Sequence, residues 1–237
     1  MLTWLLRRLI VLAIILAVPI VGCELLARKL VGDAVRSAVR AGIGTSAKVD
    51  FGSTPLLLDV VHGRVSRLRL SAEGARIGGL PPLALSASLD DVHLTSLISL
   101  SGAIGSLTLS ARLPPTGVAR LLATPACAGT LPADVRAALT TSPRVYLFPG
   151  RVDLLPPRGR AVEARLRPQA SGGRLVFALD GLDRAGVAEP VTTLAQVSCA
   201  RSLPNLPFDM RLTSASAQTG VLDLGFAGTN ASFSALG

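Results

Sequence analysis

Three arginines stand close together at Arg64, Arg67 and Arg69, in the stretch HGRVSRLRLSAEG. A guanidinium presents its N–H donors as a planar fork that fits two phosphate oxygens at once, so such a cluster suits a phosphate headgroup. The same alternation, with Leu68 and Leu70 between the charges, equally suits a strand whose arginines face solvent. The residue types allow both.

Other chemistry is sparse. The chain has two histidines, His62 and His93. Neither has a cysteine or an acid cluster at metal-ligand spacing, so no metal is expected. Asp90-Asp91 is the one adjacent carboxylate pair near them, but neighbouring strand residues point to opposite faces and would not share a proton; a turn is expected there. No H-E-x-x-H, G-x-S-x-G or P-loop occurs. AGIGTSA (residues 41–47) reads G-x-G-x-x-A but follows a helical pattern instead of a strand, which argues against a dinucleotide fingerprint. Asn230-Ala231-Ser232 matches a glycosylation sequon and is read as a chance match. No catalytic residue and no cofactor is expected.

Cysteine use bears on the compartment. Cys127 and Cys199 are the two cysteines after the N-terminal segment. In an oxidising compartment they read as a disulfide pair, with two buried free thiols as the alternative. Cys23 lies at the end of a different kind of segment. Arg7 and Arg8 precede fourteen uncharged residues, 9–22. That length matches a signal h-region better than a membrane span of roughly 20 residues. Ile20-Val21-Gly22-Cys23 resembles a bacterial lipobox, so Cys23 is a candidate for lipidation. A cleaved signal and an uncleaved anchor are the other two readings. All three place the rest of the chain outside the cytoplasm, periplasmic or extracytoplasmic and tethered to the membrane. Residues 1–23 are thus expected as signal or anchor, and 24–237 as a single domain.

The composition limits the partners. Of 237 residues, 24 are basic and 15 acidic, a net charge of +9, and only Lys29 and Lys48 are lysines. A positive balance favours anionic surfaces. Nucleic acid is disfavoured, because no long basic block exists and no aromatics are interleaved with the arginines as stacking platforms. Apolar residues make up 49% and aromatics 3%, so the interior is aliphatic. Such an interior suits acyl chains as well as an ordinary core.

These residues need elements to position them. Leu26, Leu30, Ala34, Val35, Ala38 and Val39 recur at helical steps, which predicts an amphipathic helix over 24–41 ended by Gly42 and Gly44. Period-two alternation then predicts strands at 65–72, 83–89 and 104–113. The pentad L-x-L-S-A recurs in all three, at uneven spacing, so they read as strands of one sheet and no solenoid. Prolines and short helical patterns predict two short helices within 114–142. Strands resume at 144–148, 161–166 and 174–179, a helix or loop fills 180–198, and strands return at 210–213 and 221–226. The expected class is α+β: a long N-terminal amphipathic helix packed against a strongly curved, mostly antiparallel β-sheet with a short helical insert.

The pieces VDFGSTPLL (49–57), HGRVSRLRLSAEG (62–74), LDDVHL (89–94) and LPNLPFDMRLTSASAQTGVLDLGFAGTNASF (203–233) resemble the LmeA-type phospholipid-binding family of bacterial envelope proteins. The correspondence includes Pro207-Phe208, Arg211-Leu212-Thr213 and Gly228-Thr229-Asn230, while Gly52-Ser53-Thr54-Pro55 departs from the family's aromatic-rich turn. The resemblance implies a domain like the tubular lipid-binding fold, a phospholipid ligand of the phosphatidylinositol kind, and a part in envelope lipid or glycolipid assembly.

Helix and curved sheet would then enclose an apolar hollow. Leu26, Leu30, Val35, Val39 and Leu57 would line it from the N-terminal part, and Leu68, Leu70, Leu83, Leu85, Leu107 and Leu109 from the strands. Each ligand CH₂ buried there is worth about 0.8 kcal/mol, so two acyl chains supply ample driving force. Arg64, Arg67 and Arg69 would hold the headgroup. Two other functions stand beside this one: a structural envelope protein that acts through partners without carrying lipid, and a hydrolase whose triad no motif reveals.

Overall fold

The computed structural model describes residues 44–52, 62–77, 79–96, 101–140, 144–155, 162–184, 187–188, 198–204 and 206–234, with residues 24–26, 28–29, 32–33, 35–36, 40 and 59 in helical turns. Alternating sequence gives long strands where it was expected to. β1 (Ala47–Asp50), β2 (Arg64–Ala75), β3 (Leu83–Ser96) and β4 (Ser101–Leu113) follow one another as antiparallel neighbours. Three short helices then interrupt: α1 (Pro115–Leu122), α2 (Pro125–Ala128) and α3 (Ala133–Thr140). Pro115 opens α1, where a missing N–H costs no hydrogen bond, and Val118, Leu121 and Leu122 of α1 are buried. Strands continue as β5 (Arg144–Phe148), β6 (Arg151–Leu155), β7 (Val162–Ser171), β8 (Arg174–Arg184), β9 (Val187–Ala188) and β10 (Ser198–Arg201). The chain ends in β11 (Arg211–Gln218) and β12 (Val221–Ser234).

These strands form two sheets. Sheet A has the order β1-β2-β3-β4-β12-β11, so the last hairpin returns to lie beside β4. Sheet B has the order β10-β8-β7-β6-β5, with β9 paired to β8. Two turns join them. Gly150, between β5 and β6, donates its N–H to the Ala217 carbonyl at 2.9 Å, and Gly220, between β11 and β12, donates to the Leu147 carbonyl at 3.1 Å. Both glycines have φ of +76°, a conformation that side-chain-bearing residues adopt only at a cost. Buried leucines of both sheets and of α1 belong to one cluster. Cys127 of α2 and Cys199 of β10 are disulfide-bonded and fully buried, with Cα atoms 4.7 Å apart. Arg201 ties the same corner, donating to Thr124 Oγ1 at 3.2 Å and to the Gly79 carbonyl at 3.1 Å.

Sheet A contains a transverse seam. On β3, Leu83, Leu85, Ala87 and Leu89 are buried at every second position, but the next buried residue is Val92. The step of three recurs on β2, from Leu68 to Val65, and on β4, from Leu107 to Ile104. Because strand side chains alternate faces, a step of three moves the buried side to the opposite face. Between the pairs Asp90–Ser106 and Val92–Ile104, and between Thr229–Ser106 and Ala231–Ile104, Asp91 and Asn230 fall on either side of Gly105. Asp91 has φ of 63° and Asn230 φ of 53°, left-handed values that Asp and Asn tolerate better than most residues.

The architecture differs from the one expected. A long N-terminal helix on one strongly curved sheet is not found. Among the described residues the helical elements are three short α-helices, a 3-10 turn at Pro207–Asp209 and individual helical residues between 24 and 59, and the sheets are two and not strongly curled. Apolar helical periodicity marks a face without fixing how far a helix runs, and alternation marks strands without saying which sheet they join. Asp90-Asp91 is not a turn but lies inside the 14-residue β3. Residues 180–184 continue β8, and a further strand follows at 187–188, where a helix or loop was expected. The apolar segment 1–23, Cys23 included, lies outside the described residues. No helix among the described residues is long and apolar enough to cross a membrane.

Candidate functional site

An open groove lies on the exposed face of sheet A, with a volume of about 660 Å³. Register sets two rows of residues across all six strands, and the groove takes its lining from both rows except for their last members on β11. One row runs Lys48, Ser71, Ser86, Ser110, Gly225, Ser214. The next runs Asp50, Arg69, Ser88, Thr108, Ala227, Arg211. The L-x-L-S-A pentads explain this composition: leucines take one face of each strand, and the serines that alternate with them take the other. The groove is thus floored with hydroxyls, each able to donate and accept a hydrogen bond. Gly225 keeps the floor low, since a Cβ there would collide with Ser214 Oγ. Thr213, at the far wall, donates its hydroxyl to the Gly225 carbonyl at 3.0 Å.

Charge in the groove is uneven. Arg67 Nε donates to Asp90 Oδ1 at 2.8 Å, and Arg64 Nε donates to Asp91 Oδ1 at 2.6 Å. Both arginines therefore have carboxylate partners on β3. Arg69 makes no ion pair among the described residues, and neither does Lys48. Arg69 and Lys48 both line the groove, with Asp50 the one acid among the residues lining it. Asp50 is engaged locally, accepting the Gly52 N–H at 2.9 Å. The arginine cluster read from sequence thus separates into two internally paired members and one available guanidinium. Which cross-strand acid forms the ion pair decides this: Asp90 and Asp91 bond Arg67 and Arg64, whereas Asp50, opposite Arg69, does not bond it, and alternation along one strand cannot show the difference. A second groove, about 920 Å³, adjoins the first and adds Arg36 and Arg112 to Lys48, Ser71, Ser86 and Ser110.

The residues expected to line an apolar hollow lie elsewhere in part. Leu68, Leu83, Leu85, Leu107 and Leu109 are buried in the common core. Leu70 is half-buried and packs against it, as does Val35. Leu70 and Leu109 also contribute to the hydroxyl-floored groove, together with Phe226, and Leu85 contributes to the second groove. Leu26 is exposed. Leu30, Val39 and Leu57 lie outside the described residues. Lys48, Asp50 and the serine rows went unrecognised in the sequence; the repeated S-A after each L-x-L was the signal that could have found them.

The remaining chemical candidates stay apart from the groove. His93 is exposed, with Nε2 3.7 Å from Asp91 Oδ2. No group of three metal-ligating side chains occurs among the described residues. In sheet B, Asp153 is buried beside Arg151, 3.4 Å away, and burial raises its carboxyl above the ordinary range against the opposing pull of that arginine.

No curated protein and no solved structure matches the chain. A family model does: the one described as LmeA-like phospholipid-binding matches residues 22–226 of the 237, a span that includes all of β1 to β11 and the arginines of β2. The chain belongs to the LmeA-like phospholipid-binding family.

Proposed function

We propose that this chain is a non-enzymatic phospholipid binder on the outer side of a bacterial cytoplasmic membrane, where it carries lipid for envelope lipid or glycolipid assembly. The observation that carries this reading is Arg69: an arginine without an ion-pair partner among the described residues, beside Lys48, in a groove floored by Ser71, Ser86, Ser88, Thr108 and Ser110. A lipid phosphate accepts two hydrogen bonds from one guanidinium, and a charge-assisted pair of this kind is about twice as strong as a neutral one. The serine and threonine hydroxyls suit a hydroxyl-rich headgroup, such as the phosphatidylinositol-like one that the family resemblance implies. Half-buried Leu70 and Ala227 border the same site and offer the acyl chains apolar contact there. The Cys127–Cys199 disulfide fits an oxidising compartment, which supports placement outside the cytoplasm. The signal or anchor at 1–23, with a lipidated Cys23 as one form of it, would hold residues 24–237, the single lipid-binding domain, near the membrane.

The closed packing of Leu68, Leu83 and Leu107 favours one competing reading, a structural envelope protein that encloses no lipid. Solvent extraction of the purified full chain separates the two. Carriage predicts phospholipid at a fixed molar ratio to protein, lost in parallel from Arg69→Gln. A structural protein would yield only lipid that washes out with detergent and does not respond to that substitution.

A further inference from the structure

The β5–β6 hairpin carries a surface that the groove does not use. The chain is poor in aromatics, yet two of its exposed large apolar side chains, Tyr146 and Phe148, stand two residues apart on β5. That spacing puts both on one face of the strand, with Arg144 on the same face. Across the hairpin, Arg151 lies opposite Phe148, and its guanidinium carbon is 5.0 Å from the ring centre. Arg144 is exposed and makes no ion pair among the described residues. The turn itself, Pro149-Gly150, is exposed and held rigid by the Gly150 hydrogen bond to Ala217.

We propose that the β5–β6 hairpin is a docking finger whose Tyr146 and Phe148 enter the headgroup layer of an anionic phospholipid bilayer, with Arg144 and Arg151 on its phosphates. Aromatic rings settle at the depth where a bilayer changes from polar to apolar, and arginines beside them meet anionic lipid at the surface. The chain's net charge of +9 adds attraction of the same sign. The acids near this face are Asp153, 3.4 Å from Arg151, and Glu163, 3.7 Å from Arg165; burial disfavours the charged form of the first. Docking here also sets the groove close to the bilayer. Ala217, which accepts the bond from the finger, is four residues from Thr213 of the groove wall, about 13 Å along β11. The inference rests on the phospholipid-binding reading only for the nature of the bilayer it meets.

The test uses the full chain in detergent-free liposomes of phosphatidylcholine and phosphatidylglycerol, with Phe148→p-benzoylphenylalanine as a photo-cross-linker. Tyr146→p-benzoylphenylalanine is a second reporter, and Arg76→p-benzoylphenylalanine, at an exposed site past β2, is the control. Docking predicts phospholipid adducts at 146 and 148 about tenfold above those at 76, falling when phosphatidylglycerol is omitted or when Arg144→Gln and Arg151→Gln are combined. Equal labelling at all three sites, adducts to protein in place of lipid, or no adduct at 146 and 148 would overturn the proposal. If phospholipid still co-purifies with the chain in that case, the groove reading stands and the docking surface alone is lost.

Discussion

Gly105 of β4 packs against Asp91 of β3 so closely that a Cβ on that glycine would stand 2.9 Å from the Asp91 Cβ. Real side chains do not approach so closely, so the seam exists only because β4 offers a hydrogen where β3 bends. Asp91 in turn accepts from Arg64, which fixes the end of β2 to the same point. The seam separates the hydroxyl-floored face that holds Arg69 from a strand end where the opposite side is buried.

Gly105→Ala should therefore act on the whole sheet. The added methyl must displace β3 or β4 backbone, a cost of roughly 1–3 kcal/mol for overpacking of this kind. Urea unfolding of the substituted chain should show a lower midpoint with an unchanged slope. An unshifted midpoint would mean that the seam relaxes freely.

The three arginines of β2 should separate in function. Arg69→Gln removes an available phosphate ligand, whereas Arg67→Gln and Arg64→Gln remove partners of Asp90 and Asp91. Retained phospholipid, measured by phosphorus assay against protein, should fall about tenfold for Arg69→Gln, consistent with loss of one hydrogen bond to a charged group. The other two should keep lipid near the parent level and lose stability instead, by roughly 0–1 kcal/mol for exposed ion pairs.

Asp153 should make stability depend on pH. Its carboxyl holds a proton more tightly in the folded chain than in the unfolded one, because burial disfavours the charge more than Arg151 favours it. The folded state then binds more protons, so stability is full below the ordinary carboxylate range and falls as pH rises through the window up to the raised folded value. Asp153→Asn cannot ionise, so its unfolding midpoints should lack that fall. Parallel curves for the two chains across that window would show that the carboxyl is not perturbed.

The disulfide should contribute to stability through the unfolded state. Cys127 and Cys199 are 72 residues apart in sequence, and a loop of that size corresponds to about 4 kcal/mol in the chain-entropy description. Replacing both with serine should lower the melting temperature of the chain, as should reduction. Arg201 bonds the same corner to Thr124 and Gly79, so Arg201→Ala should deepen the loss.

Much of sheet A was legible because one face of each strand is buried: the leucines of 65–72, 83–89 and 104–113 announced β2, β3 and β4. The helical insert after Pro114-Pro115 was legible for the same reason, through Val118, Leu121 and Leu122. What alternation cannot carry is partnership. Nothing along β2 distinguishes Arg67 from Arg69; each faces an acid across the sheet, but Asp90 bonds Arg67 while Asp50 accepts the Gly52 N–H and makes no ion pair with Arg69. The seam at Asp91 was misread as a turn because a left-handed residue inside a strand has the same local signature as a turn residue. The hydroxyl floor was overlooked because serines opposite leucines look like any solvated strand face until six strands set them side by side.

Native mass spectrometry of the full chain, released gently from detergent, tests the central claim most directly. The account predicts a phospholipid-sized mass adduct on the parent chain and its loss from Arg69→Gln, with both chains equally folded. A parent chain that appears only at its bare protein mass under those conditions would contradict it.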